Sequence, residues 1–504
     1  MAAAARPRER GISFPERRPY TRSRRLTSPG TPRGGVARRR GIPLATPRIT
    51  ELEHWDAVAP RFRGLADLPW PAWLDSASRR VGARYDILVA DPYVTLRTRG
   101  AVTEISRRGG ETVESARAPL ELVREALGST CAPAPGLPFF GGAVGYVSYD
   151  LGRRFERIPS LAAADIAMPE LAIGIYDWAV IVDHVDRKTW LAGLGRDSRT
   201  FARWLELVER LHAKQTKAAP AFRVLSPPTP GVSRAEYAAA FARVQDHIRR
   251  GDCYQVNLTQ RFVARAEGDA WRAYLRLREI NPAPFAAFLD FPDGRVLSSS
   301  PERFLRVDGD RVETKPIKGT RPRAADAARD RAQAEALRSS AKDRAENVMI
   351  VDLLRNDLGK SCVPGSVRVT KLFDVESYAS VHQLVSTIEG RLAPGKHALD
   401  VLAGCFPGGS ITGAPKVAAM KIIEELEPQR RSVYCGCIGY VGYDGNMDTN
   451  IAIRTLVQHG EHVYTWAGGG VVADSEVDAE YQESLDKAAA LLAVLDERAF
   501  TAAS

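Results

Sequence analysis

The sequence is poor in cysteine, and it lacks the long apolar runs that membrane and secreted proteins carry. Six cysteines among 504 residues are too few for a disulfide scaffold. No apolar run approaches the ~20 residues that a bilayer-spanning helix needs, and the start of the chain has no apolar core of the kind a secretory signal contains. We therefore expect a cytoplasmic protein that does not contact a membrane.

Two of the cysteines, Cys435 and Cys437, are close enough in sequence to raise the question of a metal site. They lie in the apolar run Val433–Tyr440, which reads as a buried strand. No second pair of Cys or His residues nearby would complete a zinc site. We therefore interpret both residues as free thiols of the protein core.

Acidic residues are nearly absent from the first 50 residues. With 13 Arg and 2 Glu, this segment carries a net charge of +11, so the other residues together carry about −1 of the total +10. A segment rich in Arg, Pro, Gly and Ser buries too little apolar surface to offset chain entropy. We expect residues 1–48 to form a disordered arm, which a lineage-specific extension, a targeting segment or a polyanion-binding tail would each explain. The remainder is nearly neutral, so nucleic acid is not an expected partner.

The chain beyond the arm divides at a proline-rich segment, Leu225–Gly231, which reads as a linker. From 49 to 224, short β-like runs alternate with Pro and Gly clusters. The second half, 232–498, opens with Ser233-Arg-Ala-Glu236, a capping box that predicts the start of a helix. A long helical pattern, roughly 324–359, follows among further strands. This mixed order favours an α+β fold over a parallel βαβ sheet.

Two glycine-rich segments of the second half are candidates for anion binding. Gly404–Lys416 and Ala467–Gly470 contain glycines whose backbone N–H groups can approach a ligand closely. In the first segment, Pro415 is suited to open a helix whose N-terminal end attracts anions. A tight turn is the alternative explanation for either segment.

Carboxylates recur on helical faces in the same half. Glu480 and Glu483 are three residues apart and Lys487 follows four later, so the three share one face of a helix. Glu346 lies near the start of another helical pattern. A few carboxylate oxygens completed by water suit Mg²⁺. Solvated charges on a helix surface are the alternative.

Five segments occur together in a fixed order that points to one family. They are Ser300-Pro-Glu-Arg-Phe304, Pro316-Ile-Lys-Gly-Thr320, Asp343-Arg-Ala-Glu-Asn347, Gly408–Lys416 and Ala467-Gly-Gly-Gly470. In this order they resemble the chorismate-utilising enzymes, which form anthranilate, 4-amino-4-deoxychorismate, isochorismate or salicylate. The resemblance extends from about Leu68 to Leu495. It implies an α+β fold in which two large antiparallel β-sheets pack face to face, with helices flanking them.

The resemblance also implies a role for each residue that matches the family's motifs. The implied catalytic residues are Lys318 as nucleophile, Glu302 as general acid and His382 beside the departing ring hydroxyl. The implied Mg²⁺ site consists of Glu346 and Glu483, with Glu480 holding a metal-bound water. The implied substrate-binding groups are Arg454, Tyr434, Lys487, the amides of Gly468, Gly469 and Gly470, and Ser410 and Thr412 at the metal end.

Two positions distinguish among the family's reactions. Lys318 lies in Pro-Ile-Lys-Gly-Thr, which resembles the members that form 4-amino-4-deoxychorismate, whereas anthranilate formers resemble Pro-Ile-Ala-Gly-Thr. Gln255 occupies the position at which isochorismate and salicylate synthases use a lysine to activate water, and an amide is not a base. We therefore expect chorismate to be aminated at ring carbon 4, for 4-aminobenzoate and folate synthesis, through a covalent Lys318 intermediate. The alternative is anthranilate synthesis.

The resemblance also bears on the source of ammonia and on regulation by tryptophan. The chain has no segment resembling a class I glutaminase, so we expect a separate glutamine amidotransferase subunit as partner. Asp75 and Ser76 fall where related enzymes hold tryptophan, and Asp75 replaces the Glu of the feedback-inhibited members. Tryptophan binding is open at this point. A non-catalytic member that binds tryptophan or a polyanion is a third interpretation.

Overall fold

Strands dominate the described part of the chain, where they form two twelve-stranded sheets. The computed structural model describes residues 46–77, 84–213, 221–378 and 381–496, so the predicted arm lies outside them except for its last three residues. The first sheet contains β1 (Arg48–Leu52), β2 (Ala72–Asp75), β3 (Tyr85–Val89), β9 (Trp178–Asp183), β10 (Lys188–Gly193), β11 (Arg223–Pro230), β12 (Gln255–Glu267), β13 (Phe285–Phe291), β14 (Gly294–Ser300), β20 (Gly413–Ala414), β23 (Thr455–His459) and β24 (His462–Val471). The second contains β4 (Val94–Arg99), β5 (Val102–Arg107), β6 (Thr112–Ser115), β7 (Gly142–Val147), β8 (Leu171–Tyr176), β15 (Arg303–Asp308), β16 (Arg311–Thr314), β17 (Ile317–Pro322), β18 (Arg368–Ser377), β19 (Val381–Arg391), β21 (Cys437–Gly442) and β22 (Met447–Asn450).

Each sheet takes strands from both halves of the sequence. The order in the first is β1-β10-β9-β3-β2-β13-β14-β23-β24-β12-β11, with β20 beside β12; in the second it is β17-β19-β16-β15-β22-β21-β7-β8-β4-β5-β6, with β18 beside β19. Neighbouring strands are antiparallel, as in β2 with β13 and β7 with β21, where the two halves meet. The predicted α+β class with two large antiparallel sheets is therefore confirmed.

The alternation of side chains along the strands explains the layers. In β3, Ile87 and Val89 point into a hydrophobic core that also takes side chains from the second sheet, whereas Leu88 points to the opposite face. Since successive side chains of a strand lie on opposite faces, a strand that is apolar at every position is covered on both sides. Between the sheets, the rings of Tyr146 and Phe291 are 6.5 Å apart. The two sheets therefore pack face to face.

Helices cover the outer face of the first sheet and one end of the second. The helices are α1 (Val58–Phe62), α2 (Pro119–Leu127), α3 (Ser198–Ala202), α4 (Trp204–His212), α5 (Arg234–Arg250), α6 (Ala270–Ile280), α7 (Ala327–Ser339), α8 (Ala341–Gly359), α9 (Ala398–Cys405), α10 (Lys416–Leu426) and α11 (Val477–Val494), with 3-10 turns at Arg63–Leu65, Tyr149–Arg154 and Gly409–Ile411. Among the residues described, none of these helices is both long and apolar enough to cross a membrane.

The predicted start of the second half is confirmed, but the predicted linker is wrong. Ser233 and Glu236 form a reciprocal capping box at the start of α5, and Gly251 ends the helix in a left-handed conformation. Residues 225–230 instead belong to β11, at one end of the first sheet. An edge strand tolerates proline because its outward N–H groups need no partner, and β11 pairs with β12 through two register shifts.

Two further element boundaries differ from the prediction. The helical stretch 324–359 is broken at Ser340, whose hydroxyl accepts a hydrogen bond from the N–H of Asp343 and so begins α8. The strand expected from Val433 begins at Cys437, because Cys435 has φ +63° in the preceding turn. Both cysteines are nevertheless buried free thiols, as predicted.

Candidate active site

Lys318 lies at an irregular point of an edge strand. Strand β17 pairs regularly with β19 at Thr320 and again at Ile317, with a register shift between them. Gly319 has φ +82° there, and a Cβ on it would lie 2.8 Å from the Asp343 carboxyl carbon. Irregularities of this kind redirect a side chain out of the regular pleat. The Gly of Pro-Ile-Lys-Gly-Thr is therefore required by the close approach of α8 to Lys318.

The surroundings of Lys318 favour the neutral amine. Burial lowers the pKa of Lys318, and the Lys487 ammonium acts in the same direction. The carboxylates of Glu346, Glu302 and Glu483 oppose this effect without cancelling it. A lysine with a lowered pKa has a larger fraction of free amine near neutral pH, which is the form that attacks carbon.

Glu302 is the buried acid of the site. It is 6% exposed in the turn between β14 and β15, and Ser410 Oγ donates to its Oε1 at 2.8 Å. Burial raises the pKa of Glu302 to about 7, although Ser410, Lys318, Lys487 and the Ile317 amide all favour the carboxylate. A carboxyl group that titrates near neutral pH is able both to donate and to accept a proton during turnover.

Helix α11 presents its predicted acidic and basic residues on one face. Lys487 Nζ lies 2.5 Å from Glu483 Oε1 and donates to the carbonyl oxygen of Gly468 at 3.1 Å. Glu480 is buried, and Ser475 Oγ donates to its Oε1 at 2.7 Å. Burial opposes ionisation of Glu483, but Lys487, Lys318 and Lys342 together outweigh it and lower the pKa of Glu483. Glu483 is therefore an anionic group facing strand β24.

The carboxylates of α8 and α11 have the properties of an open divalent-cation site. Burial raises the pKa of Glu346 and of Glu480, and Glu480 adds to the rise at Glu346. A Cβ on Gly469 would lie 2.7 Å from Glu480 Oε2 and 3.6 Å from Glu483 Oε1, so a larger residue there would displace the Glu480 carboxylate. A cation would relieve the repulsion among these groups.

This donor set is not a preformed cage. No group of three or more His, Cys, Asp or Glu side chains within the four described ranges is spaced to enclose a metal ion. One or two carboxylates with water and substrate oxygens are sufficient for Mg²⁺, which keeps several of its waters when bound. The residues present therefore fit a metal that is shared with the substrate.

Arg454 is a cation that has no carboxylate partner among the residues that the structure describes. Burial lowers the pKa of Arg454, and no Asp or Glu of the described residues lies within 4.0 Å of its guanidinium. Nη1 donates to the carbonyl oxygen of Lys487 at 2.6 Å, which leaves the other donors of the guanidinium for a ligand. Tyr434 is buried nearby and stacks on Trp466, with ring centroids 5.8 Å apart. An unpaired, partly buried guanidinium suits a substrate carboxylate.

His382 is buried in β19 and is held by neighbours on both ring nitrogens. Ser377 Oγ lies 2.8 Å from Nδ1, and Asp330 Oδ1 of α7 lies 3.1 Å from Nε2. A substrate hydroxyl would have to replace Asp330 to reach the imidazole. The role of His382 beside the departing hydroxyl stays a prediction.

The two segments singled out for their glycines differ in conformation. Gly468, Gly469 and Gly470 are part of β24, paired with β12, rather than a turn. A Cβ on Gly468 would lie 2.1 Å from the Leu258 carbonyl oxygen, so the sheet itself requires a glycine there. Thr412 is buried and its hydroxyl donates to the carbonyl oxygen of Gly408. Thr412 therefore shapes the segment around Ser410.

The predicted tryptophan pocket has its polar groups engaged by protein. Asp75 accepts hydrogen bonds from Tyr274 and Arg278 at 2.7 and 2.6 Å, and burial raises the pKa of Asp75 to about 7. Ser76 donates to Asp86 through both its amide and its hydroxyl. Aromatic rings, including Trp73, line the neighbourhood. Tryptophan binding stays open.

The sequence prediction missed three contributors to the site. The charge of Lys342 lowers the pKa values of Glu346, Glu480 and Glu483. Lys342 lies four residues before Glu346 on a helix, and this spacing could have indicated that the two side chains are neighbours. Neither of the other two is part of a sequence pattern that indicates its contact: the Ser475 hydroxyl donates to Glu480, five residues later, and the Lys416 ammonium donates to Asp357, 59 residues earlier.

Several known proteins are similar to this chain in sequence and in fold over most of their length. The sequence model of the chorismate binding enzyme family matches residues 78–493. Aminodeoxychorismate synthase component 1 of Klebsiella aerogenes is 49% identical over 88% of this chain and 97% of its own. Anthranilate synthase component 1 of Thermus thermophilus is 40% identical over 89% of this chain and 97% of its own. The crystal structure of anthranilate synthase component I from Streptococcus pneumoniae TIGR4 has a TM-score of 0.72 at 32% identity, covering 82% of this chain and 93% of that one. The chain belongs to the chorismate binding enzyme family.

Proposed function

We propose that the chain is the aminating subunit of an aminodeoxychorismate synthase, which converts chorismate and ammonia to 4-amino-4-deoxychorismate and water. The observation that carries this proposal is Lys318, a lysine of lowered pKa next to a neutral-pH acid, Glu302. The 49% identity to the Klebsiella relative supports the same activity. Anthranilate synthesis is the alternative, since relatives of that name are 40% identical.

Chorismate is a dianion, so its pocket requires cations and oriented amides. We assign one carboxylate to Arg454, which has no carboxylate partner within the described ranges, with help from Lys487 and the amides of Gly468–Gly470. Glu346 and Glu483 would hold Mg²⁺ beside the ring carboxylate, and Glu480 would hold a metal-bound water. When bound, Mg²⁺ supplies positive charge that orients the ring carboxylate and offsets charge that develops on it.

The first chemical step joins Lys318 to the ring. The Nζ lone pair forms a bond to ring carbon 2, the two conjugated ring double bonds each shift by one position, and the bond from carbon 4 to its hydroxyl breaks. Glu302 gives its proton to the departing hydroxyl, which leaves as water. Expelling hydroxide without a proton donor is slow near neutral pH, so a buried acid with a pKa of about 7 is suited to this role.

The second step reverses the displacement. Ammonia forms a bond to carbon 4, both ring double bonds shift back, and the bond between carbon 2 and Lys318 breaks. The Glu302 carboxylate takes the proton that the incoming nitrogen loses. The enzyme then has its neutral amine and protonated acid again, and the balance is chorismate plus ammonia giving 4-amino-4-deoxychorismate plus water.

We propose that a glutaminase subunit supplies the ammonia in the cell. The relatives are named component 1 of their synthase, which implies a second component. A cytoplasmic location stays a prediction.

Product identity tests the activity. Purified protein is incubated with chorismate, Mg²⁺ and ammonium, and the products are separated with and without added aminodeoxychorismate lyase. The proposal predicts 4-aminobenzoate only when the lyase is present. Anthranilate and pyruvate in its absence would establish the alternative, and no turnover at all would favour a non-catalytic member.

A further inference from the structure

The segment 406–415, between α9 and α10, carries the hydroxyl that holds the general acid. Ser410 lies in its middle and donates to Glu302 Oε1 at 2.8 Å. The segment is bounded by Cys405, the last residue of α9, and Lys416, the first residue of α10. The position of Ser410 therefore depends on how these two ends are fixed.

The side chain of Lys416 connects the two ends of the segment 406–415 by a hydrogen bond. Its ammonium group is 7% exposed and donates to the Cys405 carbonyl oxygen at 2.7 Å and to Asp357 Oδ2 at 2.6 Å. The first contact spans the whole segment, from the start of α10 back to the end of α9. It also satisfies one of the carbonyl groups that a helix leaves without a partner at its C-terminal end. The second contact fixes the closed segment to α8.

Two more contacts fix the segment next to Ser410. Arg431 Nη1 donates to the carbonyl oxygen of Ile411 at 2.9 Å, and the Asn257 amide donates to that of Thr412 at 2.9 Å. These contacts fix the residues after Ser410. On the side before Ser410, the Phe406 amide donates to the Leu402 carbonyl oxygen of α9 at 3.0 Å, and the Lys416 side chain closes the segment onto the end of that helix.

We propose that Lys416 is a positioning residue for the general acid: by closing the segment 406–415 it holds the Ser410 hydroxyl where it donates to Glu302. The inference rests on the proposed function, because it gives Glu302 the role of acid. The charged groups that face Glu302 from neighbouring elements are Lys318 of β17 and Lys487 of α11, and neither contacts Lys416. A change at Lys416 therefore reaches Glu302 through Ser410.

Lys360 provides a matched control. It donates to the same carboxylate, Asp357 Oδ1 at 3.0 Å, and to the adjacent carbonyl oxygen, that of Gly404 at 2.9 Å. It links α9 to α8 in the same way but does not reach the start of α10. Its side chain is also 45% exposed, against 7% for Lys416.

The test compares Lys416→Met, Lys360→Met and Ser410→Ala by the pH dependence of kcat with chorismate and ammonium. Because ionisation of Glu302 removes the proton donor, the fall of kcat at high pH (the high-pH limb of the profile) follows the pKa of Glu302. Ser410 favours the carboxylate, so Ser410→Ala moves this limb up by about half to one pH unit, the equivalent of one hydrogen bond. We expect Lys416→Met to move the same limb by a similar amount, to lower kcat about tenfold, and to change the chorismate KM less than about threefold. Lys360→Met leaves the limb unmoved.

The combined variant Lys416→Met/Ser410→Ala decides the matter. If Lys416 acts through Ser410, the limb of the double variant lies where that of Ser410→Ala lies, since coupled residues are not additive. A limb that stays at the parent position in Lys416→Met, or shifts that add in the double variant, would overturn the inference. If Lys416→Met does not fold, Asp357→Asn, which removes the anchor of the ammonium group, is measured in the same way with the same two outcomes. A parent enzyme that makes no aminated product would instead contradict the proposed function.

Discussion

Burial of Glu302 has a cost in stability that the variant Glu302→Gln removes. The carboxyl group is 6% exposed, and its pKa rises from the ordinary 4.5 to about 7. Since one pKa unit corresponds to about 1.4 kcal/mol, this rise corresponds to about 3 kcal/mol of unfolding free energy. Glutamine keeps the shape of the neutral carboxyl and can still accept from Ser410, but it never ionises.

The sign follows from the protonation of the two states. At pH values below 4.5 the carboxyl is neutral in both the folded and the unfolded chain, so its contribution to stability is fully present. As the pH rises towards 7 the unfolded chain loses the proton and the folded chain retains it, and stability falls until the folded group ionises as well. Relative to the parent, Glu302→Gln should therefore gain about 3 kcal/mol between about pH 4 and pH 8.

Urea unfolding of both proteins at several pH values in this window measures the difference directly. Glu206→Gln is the control, because Glu206 is an exposed carboxylate whose pKa Arg203 lowers. For that variant the difference should have the opposite sign or be close to zero. A difference between Glu302→Gln and the parent that does not change with pH would refute the claim that Glu302 is a buried acid of raised pKa. Glu302→Gln should also lose amination activity by about 100-fold or more, because it has no proton to give.

Substitutions at three other positions test the remaining parts of the site. Lys318→Ala and Lys318→Arg should both fall below about a tenth of the parental amination rate, a barrier of at least ~1.4 kcal/mol, because neither offers a neutral amine; product chromatography checks this, and a higher rate would exclude Lys318 as nucleophile. Gly469→Ala should weaken Mg²⁺ binding about tenfold in calorimetric titration, because its Cβ would lie 2.7 Å from Glu480 Oε2; unchanged binding would remove Glu480 from the metal site. Arg454→Lys should raise the chorismate KM about tenfold, because an ammonium group cannot form the bidentate pair; an unchanged KM would show that another cation binds the carboxylate.

Local chemistry made some elements predictable from the sequence. The capping box of Ser233 and Glu236 involves residues three apart, so it indicated the start of α5 without any tertiary information. The linker prediction failed because Pro227 and Pro228 break most strands, and only the place of β11 at one end of the sheet order makes them tolerable. The glycines of Ala467–Gly470 indicated a segment for anion binding, with a tight turn as the alternative, whereas the approach of Glu480 and of the neighbouring strand accounts for them within β24.

The candidate site was predictable where a motif carries the residue and not where a distant contact does. Lys318, Glu302 and Glu346 are in segments with family resemblance, and the structure brings both carboxyl groups within electrostatic reach of Lys318. The contacts of Lys416 and Ser475 join residues whose pairing only the folded chain shows. The Asp330 contact of His382 belongs to the same class, since it spans 52 residues.

The central claim is that Lys318 forms a covalent bond to the ring and thereby directs ammonia to carbon 4. The most direct measurement is the mass of the protein when a reaction with chorismate and Mg²⁺ is quenched with acid during turnover, followed by peptide mapping. The account predicts an adduct with the mass of chorismate less one water, on the peptide that contains Lys318, which decreases when ammonium is added and is absent from Lys318→Ala. Amination by the parent without any adduct on this peptide, or the same adduct on Lys318→Ala, would contradict it.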